Sequence, residues 1–342
     1  MKVINASTNY LDTKGLTPYQ FMERVGRICY KSEDKITDES AVKFIGVLAK
    51  NKHTAMLEHA HIYLDLNEMT LSDIISAMSM ESMRAELHNI TPVINYFNIT
   101  NEGPAHILSG SFRAFINLFE NKYLCMERAV IYIKNALSKT YPEVFNKLTE
   151  NELNLLKEQD EYTKNEYVAV YTRDEFIDFV NRIFTPESVN LILYKHLTHT
   201  VLFTCDRGVT HEFVRHRPSS FAQESTRYCN YSQDKFGNEI TVIKPCFWDD
   251  DSKEMKLWEK ACDFAESCYF DLLLSGATPQ QARDVLPTSV KTEIVITTTE
   301  SEWQHIINLR LHGTTGSPHP QMVEVMNLAY PDLDKHSNSR LK

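Results

Sequence analysis

The sequence predicts an α+β fold, in which helices and strands alternate without a regular βαβ order. Two observations predict this class. Several segments carry apolar residues at helical spacing between capping residues, and several short segments rich in β-branched or aromatic residues have the character of strands. The composition is that of a globular protein, with 42% hydrophobic and 24% charged residues among 342. This length suits one large domain or two smaller ones.

The N-terminal region predicts two helices and a strand. Thr17 is a capping residue, Pro18 occupies the first helical position, and Gln20 closes a capping box. A second helix is predicted over residues 37–50. The segment His59–Leu66 alternates apolar and polar residues, as a half-buried strand does.

From about residue 68 to 195 the pattern is mostly helical and more polar. Residues 146–166 are rich in Asn, Glu and Lys and predict a solvated surface. No motif in this stretch indicates chemistry.

The C-terminal region returns to strands and well-capped helices. Pro218 must end the short helix before it, because proline disfavours helical backbone in the preceding residue. The predicted elements are a strand at Thr200–Cys205, a helix at His211–His216, an amphipathic helix at Ser252–Ser275 ending at Gly276, a short helix from Thr278 that carries Arg283, a strand at Thr292–Thr298, and a helix at Trp303–Leu311 preceded by a capping box at Thr299–Glu302.

Composition argues against several classes of protein. The seven cysteines form no CxxC pair, which argues against a disulfide framework or a thiolate zinc site. The histidines show no HExxH pattern, so no metal site is expected. The N-terminus lacks a signal-peptide core, and no apolar run approaches the roughly 20 residues that span a bilayer. A soluble, cytoplasmic protein without membrane contact is expected.

The net charge of −10 limits the choice of phosphate ligands. Proteins that bind nucleic acid over a wide surface are normally basic, because their affinity comes from neutralising phosphates. No nucleic-acid partner is therefore expected. A phosphate-bearing ligand should be nucleotide-sized and held by a few concentrated arginines.

The segment Arg215–Tyr228 concentrates three arginines, a histidine and several hydroxyl side chains. Guanidinium groups match phosphate oxygens bidentately, and Pro218 takes the chain out of the helix so that it can surround a ligand. Gln223, Glu224 and Ser225 could contact a polar ring edge. On composition alone, an arginine-rich surface turn paired to the acidic excess is an equally good interpretation.

The pattern Arg215-His216-Arg217, seven residues and then Ser225 resembles the signature of flavin-dependent thymidylate synthases, and Arg227-Tyr228 also fits it. Three further blocks follow the order of that family: His53–His59, Ala282–Pro287 and His305–Arg310. The resemblance covers about residues 1–67 and 196–330. It implies a mixed sheet flanked by helices in one domain, 1–342, with a mostly helical insertion at about 68–195, as in longer members.

The resemblance also implies ligands and roles. It implies reductive methylation of dUMP with FAD, NADPH and 5,10-methylenetetrahydrofolate, in a homotetramer with shared sites. Arg310 and Ser225 are the implied catalytic residues. The implied FAD contacts are His53, Arg215, His216, Arg217, His305 and His319, and the implied dUMP contacts are Arg215, Gln223, Glu224, Ser225, Arg227, Arg283 and Arg310, with Arg227 and Arg283 on the phosphate.

The residues themselves support two of these roles. Trp303, Ile306 and Arg310 lie at i, i+3 and i+7, so Arg310 should point inward and needs an anionic or strongly accepting partner. The alternative is an arginine that only caps helix carbonyls. Ser225 lacks a GxSxG elbow or an adjacent His-Asp pair, so it is assigned to binding and orientation rather than nucleophilic attack.

The chain departs from the family pattern at several positions. Ala55 replaces a serine or threonine, and Thr299 and Ser301 replace larger residues. Glu212 replaces a glutamine, and its carboxylate would repel a phosphate. Two alternatives stay open: a related pyrimidine-nucleotide methyl- or hydroxymethyltransferase, and a flavin-binding or nucleotide-binding module without turnover. An RNA-binding protein is disfavoured by the acidic charge.

Overall fold

The computed structural model describes residues 1–87, 91–157, 168–225, 231, 237–338 and 341. The chain forms two compact units. The motif unit comprises Met1–Asp12, Gly26–Glu33 and His199–Lys342, and the middle unit comprises Thr13–Val25 and Asp34–Thr198. The implied single domain with an insertion stays a prediction.

Helices and strands follow one another irregularly, which confirms the α+β class. The helices are α1 (Pro18–Tyr30), α2 (Ser40–Lys50), α3 (Glu68–Leu87), α4 (Phe112–Glu120), α5 (Arg128–Thr140), α6 (Glu150–Lys157), α7 (Arg173–Ile183), α8 (Pro186–His196), α9 (Arg207–Phe213), α10 (Lys253–Leu274), α11 (Pro279–Ala282), α12 (Glu300–Arg310) and α13 (Pro320–His336). The strands are β1 (Lys2–Ile4), β2 (Ser7–Tyr10), β3 (His61–Leu66), β4 (Phe97–Glu102), β5 (Ala105–Ser111), β6 (Val168–Tyr171), β7 (Thr198–Asp206), β8 (Ser220–Gln223), β9 (Thr241–Ile243) and β10 (Lys291–Thr299). None of the described helices is long and apolar enough to cross a bilayer.

The motif unit is built on a four-stranded sheet in the order β2-β7-β10-β8. Strand β8 pairs antiparallel with β10, with Gln223 opposite Ile294 and Ser220 opposite Thr297. Strands β1 and β9 form a separate parallel pair. Helices α12 and α13 contribute Trp303, Ile306 and Met326 to a fully buried core that also contains Phe203 and Ile296 of the sheet. This packing fixes α12 against the sheet that carries the arginine motif.

Side-chain caps set the ends of the helices near the motif. The Thr299 hydroxyl accepts a hydrogen bond from the Glu302 amide at 3.3 Å, so α12 begins at Glu300, three residues before its predicted start. The predicted helix at His211–His216 is wrong in position. Asp206 Oδ1 accepts from the Val209 amide at 2.9 Å, so α9 spans Arg207–Phe213 and ends before the Arg-His-Arg sequence.

The middle unit contains a second four-stranded sheet in the order β4-β5-β3-β6, in which every pair is antiparallel. Strand β3 was predicted, and its Ile62, Leu64 and Leu66 are buried on one face. The region from 68 to 195 is mostly helical, but it also holds strands β4, β5 and β6. Within the stretch predicted to be solvated, Glu152 is buried and pairs with Lys134 at 2.5 Å; residues 158–167 lie outside the described part of the chain.

Candidate functional site

The Arg-His-Arg sequence forms a turn between α9 and β8. The His216 amide donates to the Phe213 carbonyl at 3.0 Å, which continues the chain tightly past the helix end. The side chains of Arg215 and Arg217 are exposed, whereas that of His216 is buried, with 5% of its surface accessible. The turn thus presents two guanidinium groups outward and one imidazole inward.

Arg310, at the C-terminal end of α12, joins this turn to α9. Its Nε donates to His216 Nε2 at 2.9 Å, and its Nη1 donates to Glu212 Oε2 at 2.6 Å. Its Nη2 reaches the Glu212 carbonyl at 3.4 Å. The inward orientation of Arg310 is confirmed, and its anionic partner is a protein carboxylate. These partners lie outside α12, so Arg310 does more than cap its own helix.

Burial and the contact with Arg310 determine the protonation state of His216. Burial, together with the charges of Arg310 and His305, lowers the pKa of His216 to about 4. The imidazole is therefore neutral near pH 7. Because Nε2 accepts from Arg310, the proton of the ring lies on Nδ1.

Glu302 and His305, which both belong to helix α12, lie beside His216. The His305 ring lies edge-on to that of His216, with centroids 6.0 Å apart and an angle of 72°. Burial raises the pKa of Glu302 to about 7. One ligand atom from each of His216, Glu302 and His305 lies within 4.8 Å of the other two. The sequence predicted both histidines as site residues but indicated only a helix-capping role for Glu302, although its spacing of three residues from His305 on a helix was a usable signal.

The polar side chains after β8 are bonded within the protein. Gln223 Nε2 donates to Thr210 Oγ1 at 3.1 Å and to Thr292 Oγ1 at 3.3 Å. Glu224 is 2% exposed and forms an ion pair with Lys291 at 3.0 Å. A substrate contact by Gln223 or Glu224 must therefore add to these bonds or replace them. Ser225, half-buried, follows directly.

Glu224 belongs to a cluster of four charges, with Lys31, Lys291 and Glu293. Burial alone would lower the pKa of Lys291, but the charges of Glu224 and Glu293 outweigh it and the pKa is raised. Burial alone would raise the pKa of Glu293, but the two lysines outweigh it and the pKa is lowered. In addition, Arg207 Nη2 donates to the Glu224 carbonyl at 3.1 Å. The backbone before Ser225 is thus anchored from several elements.

The other predicted site residues are more dispersed. Arg283 begins a short 3₁₀ helix, Arg283–Val285, and is half-buried. His319 caps α13 through the Gln321 amide, and its exposed ring lies edge-on to Phe247. His53 is exposed and precedes a 3₁₀ helix of the middle unit. Arg227 lies outside the described residues.

The structure therefore brings His216, His305 and Arg310 together, while the roles assigned to all the predicted site residues stay predictions.

Thr299 and Ser301, which depart from the family pattern, share a hydrogen bond of 2.8 Å at the start of α12.

Comparison with protein families shows that residues 127–331 match the family described as "Thymidylate synthase complementing protein". This range includes the Arg-His-Arg turn, β8, β10 and α12. It covers more than half of the chain.

Individual relatives carry the name flavin-dependent thymidylate synthase. That of Pyrococcus furiosus is 32% identical over 120 residues, which are 35% of this chain and 48% of the relative. That of Pyrococcus horikoshii is 34% identical over 120 residues, 35% of this chain and 49% of the relative. The chain spans about half the length of the curated relatives it matches. Among solved structures, a UMP/dUMP methylase PolB from Streptomyces cacaoi, bound with 5-Br UMP, is 19% identical, with a TM-score of 0.38 over 46% of this chain and 83% of that one.

Proposed function

Because the chain belongs to the thymidylate synthase complementing protein family, we propose that it is a flavin-dependent thymidylate synthase, which converts dUMP to dTMP. The proposed carbon donor is 5,10-methylenetetrahydrofolate, the redox carrier is FAD and the reductant is NADPH. The observation that carries the proposal is the hydrogen bond from Arg310 to His216, which joins two motif blocks 94 residues apart.

The donor set on the motif unit fits FAD. Arg215 and Arg217 offer exposed guanidinium groups, which suit the phosphates of the cofactor. The exposed imidazole of His305 offers a flat ring and hydrogen-bonding nitrogens, and the buried, neutral imidazole of His216 lies edge-on beside it. These four side chains would hold the cofactor, with His319 as a further contact, while the role of His53 in FAD binding follows from the family resemblance alone. When bound, FAD would supply the redox and one-carbon-transfer chemistry.

The chain's own residues would bind and polarise dUMP. Arg227 and Arg283 would neutralise the phosphate, and Gln223 and Glu224 would frame the Ser225 loop. Arg310 would stabilise negative charge that develops on the uracil carbonyls. A guanidinium already fixed by other protein groups suits this task, since an oriented donor needs little reorganisation during the reaction.

Other features of the proposal follow from the family resemblance and from the composition of the chain. The assembly would be a homotetramer with shared sites, and the enzyme would work in the cytoplasm. The residues around Ser225 would bind and orient dUMP, with no covalent bond to the serine.

The experiment is reconstitution of the full chain with FAD, followed by an assay of dTMP formation from dUMP, methylenetetrahydrofolate and NADPH. A yellow protein that forms dTMP is expected. In the same assay Arg227→Ala should raise the dUMP concentration needed for half-maximal rate, whereas the exposed-site control Glu259→Gln should not. A colourless chain that takes up no FAD would refute the proposal.

A further inference from the structure

Three side chains of the motif unit converge as a metal site would require. His216 follows α9, while Glu302 and His305 lie three residues apart on α12 and so share one face of that helix. One ligand atom from each lies within 4.8 Å of the others. Small side-chain rotations would bring all three to the roughly 2.0–2.2 Å that zinc requires around a common centre.

One oxygen of the Glu302 carboxylate is unbonded within the described part of the chain. Its Oε1 is buried and has no hydrogen-bond partner among the residues that the structure describes. A buried polar atom without a partner is unfavourable and calls for an explanation such as a bound ion. The backbone at Glu302 is held by the Thr299 cap, and the adjacent Trp303 is fully buried. Glu302 is therefore presented from a rigid part of the fold.

The ligand types indicate which ion fits. Two imidazoles and one carboxylate are the set found in zinc sites that keep a fourth position open. Imidazole ligands favour zinc over magnesium or calcium, which prefer oxygen. We propose that His216, Glu302 and His305 bind one Zn²⁺ ion in the flavin-free protein.

Zinc binding would rearrange one contact of Arg310. A neutral imidazole has a single basic nitrogen, and in His216 that nitrogen accepts from Arg310 Nε. The ion must take this lone pair, so the Arg310–His216 bond breaks. Arg310 keeps its ion pair with Glu212, because that pair uses Nη1 and not Nε. The rearrangement therefore leaves no charge without a partner.

The ion and the flavin would exclude each other. This step rests on the proposed function, because it assigns His216 and His305 to FAD as well. The zinc site itself does not depend on that assignment. Occupation by zinc would hold the chain in a form that cannot take up FAD until the ion is removed.

Metal binding is tested on the full chain, stripped of flavin and metal, with Co²⁺ as a visible probe and Zn²⁺ as its competitor. We expect one Co²⁺ per chain with visible absorption bands, displaced by one equivalent of Zn²⁺. Glu302→Gln should weaken Co²⁺ binding by at least about tenfold, and His305→Gln should do the same. The matched controls are Glu259→Gln and His211→Gln, two exposed residues outside the cluster.

Thermal melting without metal checks that each variant folds. If Glu302→Gln does not fold, His305→Gln is used alone to test the site. Equal Co²⁺ affinity in the cluster variants and the controls would overturn the site. Competition is measured separately as FAD uptake by the Zn²⁺-loaded chain before and after EDTA. Recovery with EDTA supports exclusion, and unchanged uptake overturns it. Failure of the metal-free chain to take up FAD instead counts against the proposed function.

Discussion

The carboxylate of Glu212 holds the guanidinium of Arg310, with Oε2 and Nη1 2.6 Å apart, while Arg310 Nε donates to His216. The two side chains are 28% and 21% exposed, so water screens the pair in part. Its main effect is then orientation of the guanidinium rather than stability of the fold.

Replacing Glu212 tests this orientation. We expect Glu212→Ala to lower kcat about tenfold, because a less ordered guanidinium is less often in position. Glu212→Gln should be milder, since the amide oxygen still accepts a hydrogen bond. Steady-state kinetics at varied dUMP concentration measure kcat and the KM for dUMP. An unchanged kcat with a lower KM would mean that Glu212 only repels the substrate phosphate.

Replacing Arg310 tests its separate role in turnover. Arg310→Ala should reduce dTMP formation by at least about 100-fold while FAD stays bound, since the cofactor would keep its other contacts. Arg310→Lys should recover only part of the rate, because lysine keeps the charge but loses the planar fork. Flavin absorbance after gel filtration reports the bound cofactor. Loss of FAD in Arg310→Ala would show that the assignment to dUMP is wrong.

The charge cluster around Glu224 predicts a stability defect. Lys291→Met would leave the 2%-exposed Glu224 with Lys31 at 3.9 Å as its remaining cation in the cluster. We expect the free energy of unfolding to fall by about 3 kcal/mol. Urea unfolding followed by circular dichroism measures it, and Lys260→Met, at an exposed position on α10, is the control. Equal effects of the two substitutions would contradict the prediction.

The same cluster predicts a dependence on acid. The pKa of Glu293 is below its ordinary value of 4.5 in the folded protein. Its pairing therefore stabilises the fold fully above pH 4.5, and this contribution is lost as the pH falls through the lower, folded pKa. In Lys291→Met this acid-dependent loss should be smaller. The free energies of unfolding of the unmodified chain and of Lys291→Met are measured between pH 7 and acid pH. An equal loss of stability in the two proteins would exclude the effect.

Burial of Trp303 predicts that α12 depends on this one side chain. The indole is fully buried and its Nε1 donates to the His199 carbonyl at 3.0 Å. Trp303→Ala should cost about 3–5 kcal/mol of unfolding free energy. Leu257→Ala, at a 57%-exposed position, should stay within about 0.5 kcal/mol. Similar denaturation midpoints for both variants would show that α12 is held in another way.

Local signals predicted much of the fold. The capping box at Thr17 and Gln20 is present, with bonds of 2.9 and 3.2 Å, because such contacts involve residues three apart in sequence. The strands β4, β5 and β6 were missed within a stretch interpreted as helical. Strand β4, Phe97–Glu102, is largely polar, and its pairing with β5 is a tertiary contact that no local pattern shows.

The sequence predicted those site residues that belong to a local motif. It did not predict their interaction partners, which lie far away along the chain. The position of Arg310 on the apolar side of α12 followed from helical spacing. Its partner Glu212 lies 98 residues away and could not be identified from periodicity. The lysines that hold Glu224 come from two further segments of the chain, so Glu224 was interpreted only as a ligand contact.

Because strand β8 lies within the motif, the number of residues in the motif is as constrained as their identities. Ser220, Phe221, Ala222 and Gln223 each face a defined residue of β10. Side chains alternate between the faces of a strand, so one inserted or deleted residue between Arg217 and Ser225 would either turn every following side chain to the opposite face or force a bulge. This segment should therefore tolerate substitutions during evolution far more easily than insertions or deletions.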